Sequence, residues 1–257
     1  MSVLRQLSDA LASGSIEVID LTSKLSSDTP CIQLPPEFGQ TAPFALELIS
    51  DCDEKGPGWY WNNIHTGEHT GTHFDAPNHW ATGRDLEDIS QVAPVKMLRP
   101  AVVLDFSAES EADPDFLLTV EHIKEWEKDH GPLPEGGWLI YRTGWAQFSH
   151  SQDAILNRDE AGAHTPGMTV ETARWLAEEA PIIGVGVETV GTDAGQAFAM
   201  EPMYPMHAML HGVGKYGLTQ LQNVDKLPPT GAMILAAPLP IVGGSGSPVR
   251  VLALVER

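Results

Sequence analysis

The stretch from His65 to Trp80, H-T-G-E-H-T-G-T-H-F-D-A-P-N-H-W, limits what this chain can become more than any other. Four of the chain's ten histidines and one aspartate fall inside it, too dense a polar set for an ordinary packed core. His69, His73, Asp75 and His79 all stand at odd positions, and an extended backbone turns alternate side chains to one face. A helix would pair His69 with His73 but would send Asp75 to another side, and it would have to tolerate Gly71 and Pro77. The spacing therefore predicts an extended segment or loop. Two imidazoles and one carboxylate on it make an open ligand set, leaving coordination positions for water and substrate. Cysteine is missing from the stretch, which disfavours a closed structural zinc site and leaves zinc, manganese and ferrous iron as candidates.

The rest of the composition narrows the partners. A formal charge of −20 over 257 residues argues against nucleic acid and against an anionic membrane, since neither is attracted to such a field. Cys31 and Cys52 are the only cysteines, so no disulfide framework is expected and a reducing, cytoplasmic setting is the simplest one. No stretch approaches the length of a membrane span, and the N-terminus is a short amphipathic pattern broken by Asp9 rather than an apolar leader core.

Along the chain, residues 2–13 predict a helix ended by Gly14, and E-V-I-D-L-T at 17–22 a strand. A proline-rich loop over 27–43, with Pro30, Pro35, Pro36 and Pro43, either covers the metal with Leu34 and Phe38 or forms an edge connection. Strands are predicted at 44–50 and 58–68, the second leading into the histidine stretch. If no bulge intervenes, Trp59 and Trp61 share the parity of the ligand face. With Phe74 and Trp80 they suggest a flat aromatic substrate, the plain alternative for each ring being core packing.

Further strands at 101–106, 137–145 and around I-I-G-V-G-V-E-T alternate with helices capped by Thr119 and Thr169. His122 and His130 fall in a charged helical region and are expected to be solvated. Asp193 lies in a glycine-rich loop after a strand, either facing the site or capping a turn. His207 and His211 follow at i, i+4. Alternating elements with no linker or repeat predict one α/β domain over 1–257.

H-T-G-T-H-F-D-A-P-N-H at 69–79 matches the pattern H-x-G-T-H-x-D-x-P-x-H, and by it the chain resembles the metal-dependent cyclase family, which includes kynurenine formamidases and isatin hydrolases. The R-T-G-W strand end and the P-G-x-[ST] helix start extend the resemblance. It implies a central β-barrel-like sheet flanked by helices and a site histidine at His207. Dinuclear members resembling kynurenine formamidase carry a glutamate shortly before the N-[LV]-D-x-L-P segment, where this chain has Thr219 followed by Gln220. That departure implies one divalent metal per chain, held by His69, His73 and Asp75, with Mn²⁺ the expected ion and Zn²⁺ the alternative. Segments such as G-T-D-A-G-Q-A and M-E-P-M-Y-P-M-H resemble the isatin hydrolase branch. The resemblance then implies opening of the cyclic amide of isatin to isatinate, with His79 as acid and base, His207 steadying the oxyanion, and Trp59, Trp61, Phe74 and Trp80 gripping the ring. It also suggests a homodimer in which an arm of one subunit completes the other's site. An arylformamidase acting on N-formylkynurenine, or a hydrolase of another cyclic amide or imide, is the alternative.

Overall fold

The runs A-V-V-L, W-L-I-Y and G-V-G-V are apolar at every position, the pattern of parallel strands covered on both faces. In the computed structural model, which describes residues 2–34 and 36–257, they are β5 (Leu98–Asp105), β7 (Trp138–Arg142) and β11 (Gly184–Val187), and they pair in parallel. Pro35 of the proline-rich loop lies outside the described residues. The strand β12 (Tyr216–Thr219) continues the parallel block, and the antiparallel pair β4 (His73–Asp75) and β14 (Gly246–Pro248) closes that edge. On the other side β13 (Ala232–Ala236), β15 (Val251–Glu256) and β1 (Ile16–Asp20) follow, all antiparallel. The spatial order is β1-β15-β13-β5-β7-β11-β12-β4-β14, a nine-stranded sheet.

Successive residues of the central strands feed two cores. Ala101, Val103, Trp138 and Ile140 join a cluster that also holds Ile19 from one sheet edge and Phe74 from the other. Residues from distant edges meet in that cluster because the sheet curls into a half-barrel around it. Val102, Leu104, Leu139 and Tyr141 point the opposite way, onto α3 (Val120–His130) and α5 (Val170–Glu178) through Ile123, Ala173 and Leu176. Thr119 and Thr169 cap those helices as the sequence predicts, each accepting a backbone N–H three residues on. His122 is only partly solvated: its Nδ1 accepts from the Thr119 N–H, and its ring lies against Phe106 and Phe116.

Smaller elements complete the chain: α1 (Val3–Ser13), α2 (Ser107–Ala112), α4 (Gln152–Leu156), the two-residue pairs β6 (Leu117–Leu118) with β10 (Gly167–Met168) and β8 (Arg158–Asp159) with β9 (Gly162–Ala163), and a hairpin of β2 (Ala45–Asp51) and β3 (Tyr60–His65). The hairpin forms its own two-stranded sheet. Among the described residues no helix is long and apolar enough to cross a membrane.

Candidate metal centre

Of the extended segment or loop expected over 69–79, His73–Asp75 is strand and the rest is turn and loop. Residues 66–72 turn, with Gly71 at φ +60°, and Pro77 opens a single 3-10 turn, Pro77–His79. Parity therefore holds within β4 and not across its ends. His73 and Asp75 face the ligand side, whereas Phe74 faces the core, 5.1 Å from the Tyr216 ring and 5.9 Å from Trp138. Phe74 is thus a packing residue rather than a substrate contact. The same loss of parity frees Trp59 and Trp61 from the ligand face. Both are half exposed on the hairpin, and the Trp59 ring folds over Gly56.

Asp75 is the hub. Its Oδ1 accepts from His69 Nδ1 at 2.7 Å and lies 3.4 Å from His73 Nε2. Its Oδ2 is buried with no hydrogen-bond partner. Two glycines make room for it: in register with Asp75 on either side stand Gly217 and Gly246. A Cβ on Gly217 would meet Asp75 Oδ2 at 2.7 Å, and one on Gly246 would meet the His69 ring at 2.7 Å. Side chains there would push the carboxylate and the imidazole out of place.

Around this hub the fold gathers three more rings. His79, delivered by the 3-10 turn, lies over His69 with centroids 3.9 Å apart. His207 and His211 come from one wide helical turn, His207–His211, and sit 5.6 Å and 5.9 Å from the His79 ring. Ligand atoms of His69, Asp75 and His79 lie within 4.8 Å of one another, as do those of Asp75, His207 and His211. His211 joins the cluster unassigned by the sequence reading, though its i, i+4 spacing from His207 carried the signal.

Protein oxygens set the orientation of the rings. His73 Nδ1 donates to the Gly71 carbonyl at 2.7 Å, His207 Nδ1 to Asp193 Oδ2 at 2.5 Å, and His211 Nδ1 to the Lys215 carbonyl at 3.0 Å. For His73 and His211 the bond fixes a tautomer and leaves Nε2 with a lone pair, whereas the Asp193 carboxylate favours a His207 that carries protons on both nitrogens. Asp193 also accepts the backbone N–H groups of Met206 and His207, so it caps a turn and orients a ring at once. Thr219 faces His73 across the β4–β12 pair, its hydroxyl 2.9 Å from both ring nitrogens. Trp80 packs on His207 at 4.9 Å and on Tyr204 at 5.7 Å. Leu34 and Phe38 are exposed, so the proline-rich loop does not turn them onto the cluster.

Burial keeps three of the imidazoles neutral, pushing His73 and His211 down to about 4 and His79 down to about 2. His207 goes the other way, because the Asp193 carboxylate outweighs burial. Burial would raise Asp75, yet the neighbouring His73 and His69 hold its carboxyl well below the usual range. Neutral rings around an ionised carboxylate whose second oxygen has no donor are the groups a divalent cation takes as ligands. The donor set fits one, and its nitrogen and oxygen atoms suit Mn²⁺ and Zn²⁺ alike.

A curled mixed sheet carrying this histidine and aspartate cluster matches one family over most of its length. The family model described as putative cyclase matches residues 19–194, and the chain belongs to that cyclase family. It is 46% identical to an isatin hydrolase of Roseibium aggregatum, covering 100% of this chain and 98% of that protein. Among solved structures, isatin hydrolase A from Ralstonia solanacearum superposes with a TM-score of 0.96 at 52% identity, over 100% of this chain and 98% of the other. An isatin hydrolase bound to the product analogue thioisatinate superposes equally well, with a TM-score of 0.96 at 45% identity over the whole of both chains.

Proposed function

We propose that residues 1–257 act as one hydrolase domain that opens the cyclic amide of isatin to isatinate. The observation that carries this reading is the buried Asp75 carboxylate, 1% exposed, with one oxygen lacking a partner amid neutral imidazoles. The full-length likeness to isatin hydrolases supports the substrate. His69, His73 and Asp75 hold one divalent cation, Mn²⁺ before Zn²⁺. When bound, the cation supplies Lewis-acid polarisation of the amide carbonyl and of water.

His79 takes a proton from the attacking water as oxygen adds to the amide carbon. The C–N bond then breaks, and His79 returns the proton to the leaving aniline nitrogen. Its unprotonated ring is in the form that accepts a proton, and such a group contributes roughly a hundred- to ten-thousandfold in rate. His207, held by Asp193 and the more readily protonated of the rings, donates to the developing oxyanion. Trp80, packed on His207, is the aromatic wall nearest the reacting atoms. Thr219 offers a hydroxyl beside His73, not a carboxylate, which supports a single cation rather than a pair.

The chain works as a homodimer whose β2–β3 hairpins reach across, so that Trp59 and Trp61 line the neighbouring site. Exposed Leu46, Leu48, Tyr60 and Ile64 on the same hairpin support that docking. Cys31 and Cys52 are free thiols, in keeping with a cytoplasmic setting.

The test is a hydrolysis assay on chelator-stripped protein, offered isatin and N-formylkynurenine separately with Mn²⁺ or Zn²⁺ restored. Turnover of isatin, returning at one metal per chain, is expected. Preference for N-formylkynurenine would replace the lactam reading with the formamidase one.

A further inference from the structure

Away from the histidine cluster the fold holds a cavity of about 860 Å³, lined by Ser107, Glu111, Arg142, Trp145, Phe148 and Glu188 among others. It opens where β5, β7 and β11 end, at Asp105, Arg142 and Val187. The carboxyl ends of parallel strands are where open α/β sheets bind small ligands, since loops diverge there and leave a crevice. None of the proposed chemistry uses this place.

Glu188 is its distinctive group. The residue is 2% exposed, and its Oε2 accepts the Thr143 N–H at 2.7 Å and the Gly144 N–H at 2.6 Å, with the Thr143 hydroxyl 3.4 Å away. Those bonds fix the carboxylate. Oε1 accepts no hydrogen bond from a described residue, although the side chain lines the cavity. Burial raises the Glu188 carboxyl despite Arg142 nearby, the mark of an anion short of a counter-charge.

The surroundings decide the sign of a ligand. Arg142 is the cationic residue in the lining; its Nη1 is paired with Asp105, while its Nε is buried without a partner among the described residues. Glu111 and Asp225 add negative charge at the rim. Trp145, buried with its Nε1 donating to the Ile155 carbonyl, and Phe148 at 4.9 Å from it supply an apolar wall. We propose that this cavity is a second ligand site, which takes a small organic ammonium with an apolar or aromatic body, the ammonium donating to Glu188 Oε1. The site is reversible and non-covalent, and the loop that leaves Glu188 runs to Asp193, which orients His207.

Benzylammonium is a suitable probe, with phenylacetate as its anionic counterpart, each titrated into the metal-loaded protein by calorimetry. Glu188→Gln removes the charge while keeping an acceptor for Thr143 and Gly144. Ala108→Trp, on the exposed face of α2, fills the cavity from its rim without touching those bonds, and its isatin turnover reports an intact fold. The expected result is one benzylammonium per chain, weakened at least tenfold by each substitution, with no phenylacetate bound. Binding that survives both substitutions, equal binding of phenylacetate, or no saturable binding to the unsubstituted protein would each overturn the site.

Discussion

Two regions of the molecule break the usual rule of apolar inside and polar outside, and they break it in opposite directions. Around β4 the chain buries Asp75, His73 and His211, each at most 4% exposed. On the β2–β3 hairpin it leaves Leu46, Leu48, Trp59, Tyr60, Trp61 and Ile64 more than half exposed. A buried carboxylate with an unpartnered oxygen is costly until a cation meets it. Large apolar side chains left in water are equally unfavourable until another surface covers them. On the proposed reading the first region is completed by an ion and the second by another copy of the chain, so the contrast separates catalysis from assembly.

Removing the hub should have the largest effect. Asp75→Asn keeps the shape of the side chain while deleting its charge, so a cation held as proposed by His69, His73 and Asp75 would lose its one anionic ligand. The expected result is loss of bound metal by elemental analysis and a fall in isatin turnover of about a thousandfold, several kcal/mol of stabilisation of developing charge. A variant that kept its metal would take Asp75 out of the centre.

His79→Ala divides the cluster more finely. Here the metal should stay while turnover falls by roughly a hundred- to ten-thousandfold, the contribution of a positioned acid and base. Its ring lies over His69 and shares a group of ligand atoms with His69 and Asp75, so the opposite outcome has a clear meaning. Metal lost along with activity would make His79 a ligand and leave His73, bonded to the Gly71 carbonyl and beside Thr219, as an orienting residue.

How far the sequence revealed each region follows from the range of the forces involved. The grouping of His73 with Asp75 was legible because alternation is a local property of extended backbone, and it held over His73–Asp75. It did not carry to Trp59 and Trp61, since a turn at Gly71 intervenes, and it put Phe74 on the core side. The capping threonines and the central strands were equally readable, being set by nearest neighbours and by continuous apolar runs, although their parallel pairing came only from the structure. His211 was visible as the i, i+4 companion of His207 but was not assigned to the site, whereas the Gly217 notch escaped notice because it depends on which strands lie side by side. Pairing of β12 with β4 brings residue 217 against residue 75 across the sheet, and no short-range pattern encodes that.

The hairpin tests the other half of the contrast. Replacing Trp59 and Trp61 together by serine should leave the metal content unchanged and weaken self-association by about a hundredfold, as buried interface tryptophans of about 2 kcal/mol or more do. Sedimentation of dilute protein would report the shift towards monomer. Substituted protein that remained dimeric, with unchanged turnover, would mean that the exposed face serves neither assembly nor the neighbouring site.

The smallest effect belongs to the polar ties within the hairpin. Glu47 accepts from Asn63 at 3.0 Å and lies 2.8 Å from His65 Nε2, across β2 and β3. The hydrogen bonds from Asn63 and His65 lower its carboxyl from the usual range. A lowered folded-state pKa means that the stabilisation is present above the unfolded value near 4.5 and is lost as pH falls through the folded value. Because the pair is open to water, solvent screens most of it. Glu47→Gln should therefore shift the melting temperature only slightly at pH 7, and the difference between the two proteins should vanish in acid. A large shift at neutral pH would mean that the hairpin is held by its own polar contacts, and docking against a second copy would no longer be needed to account for its order.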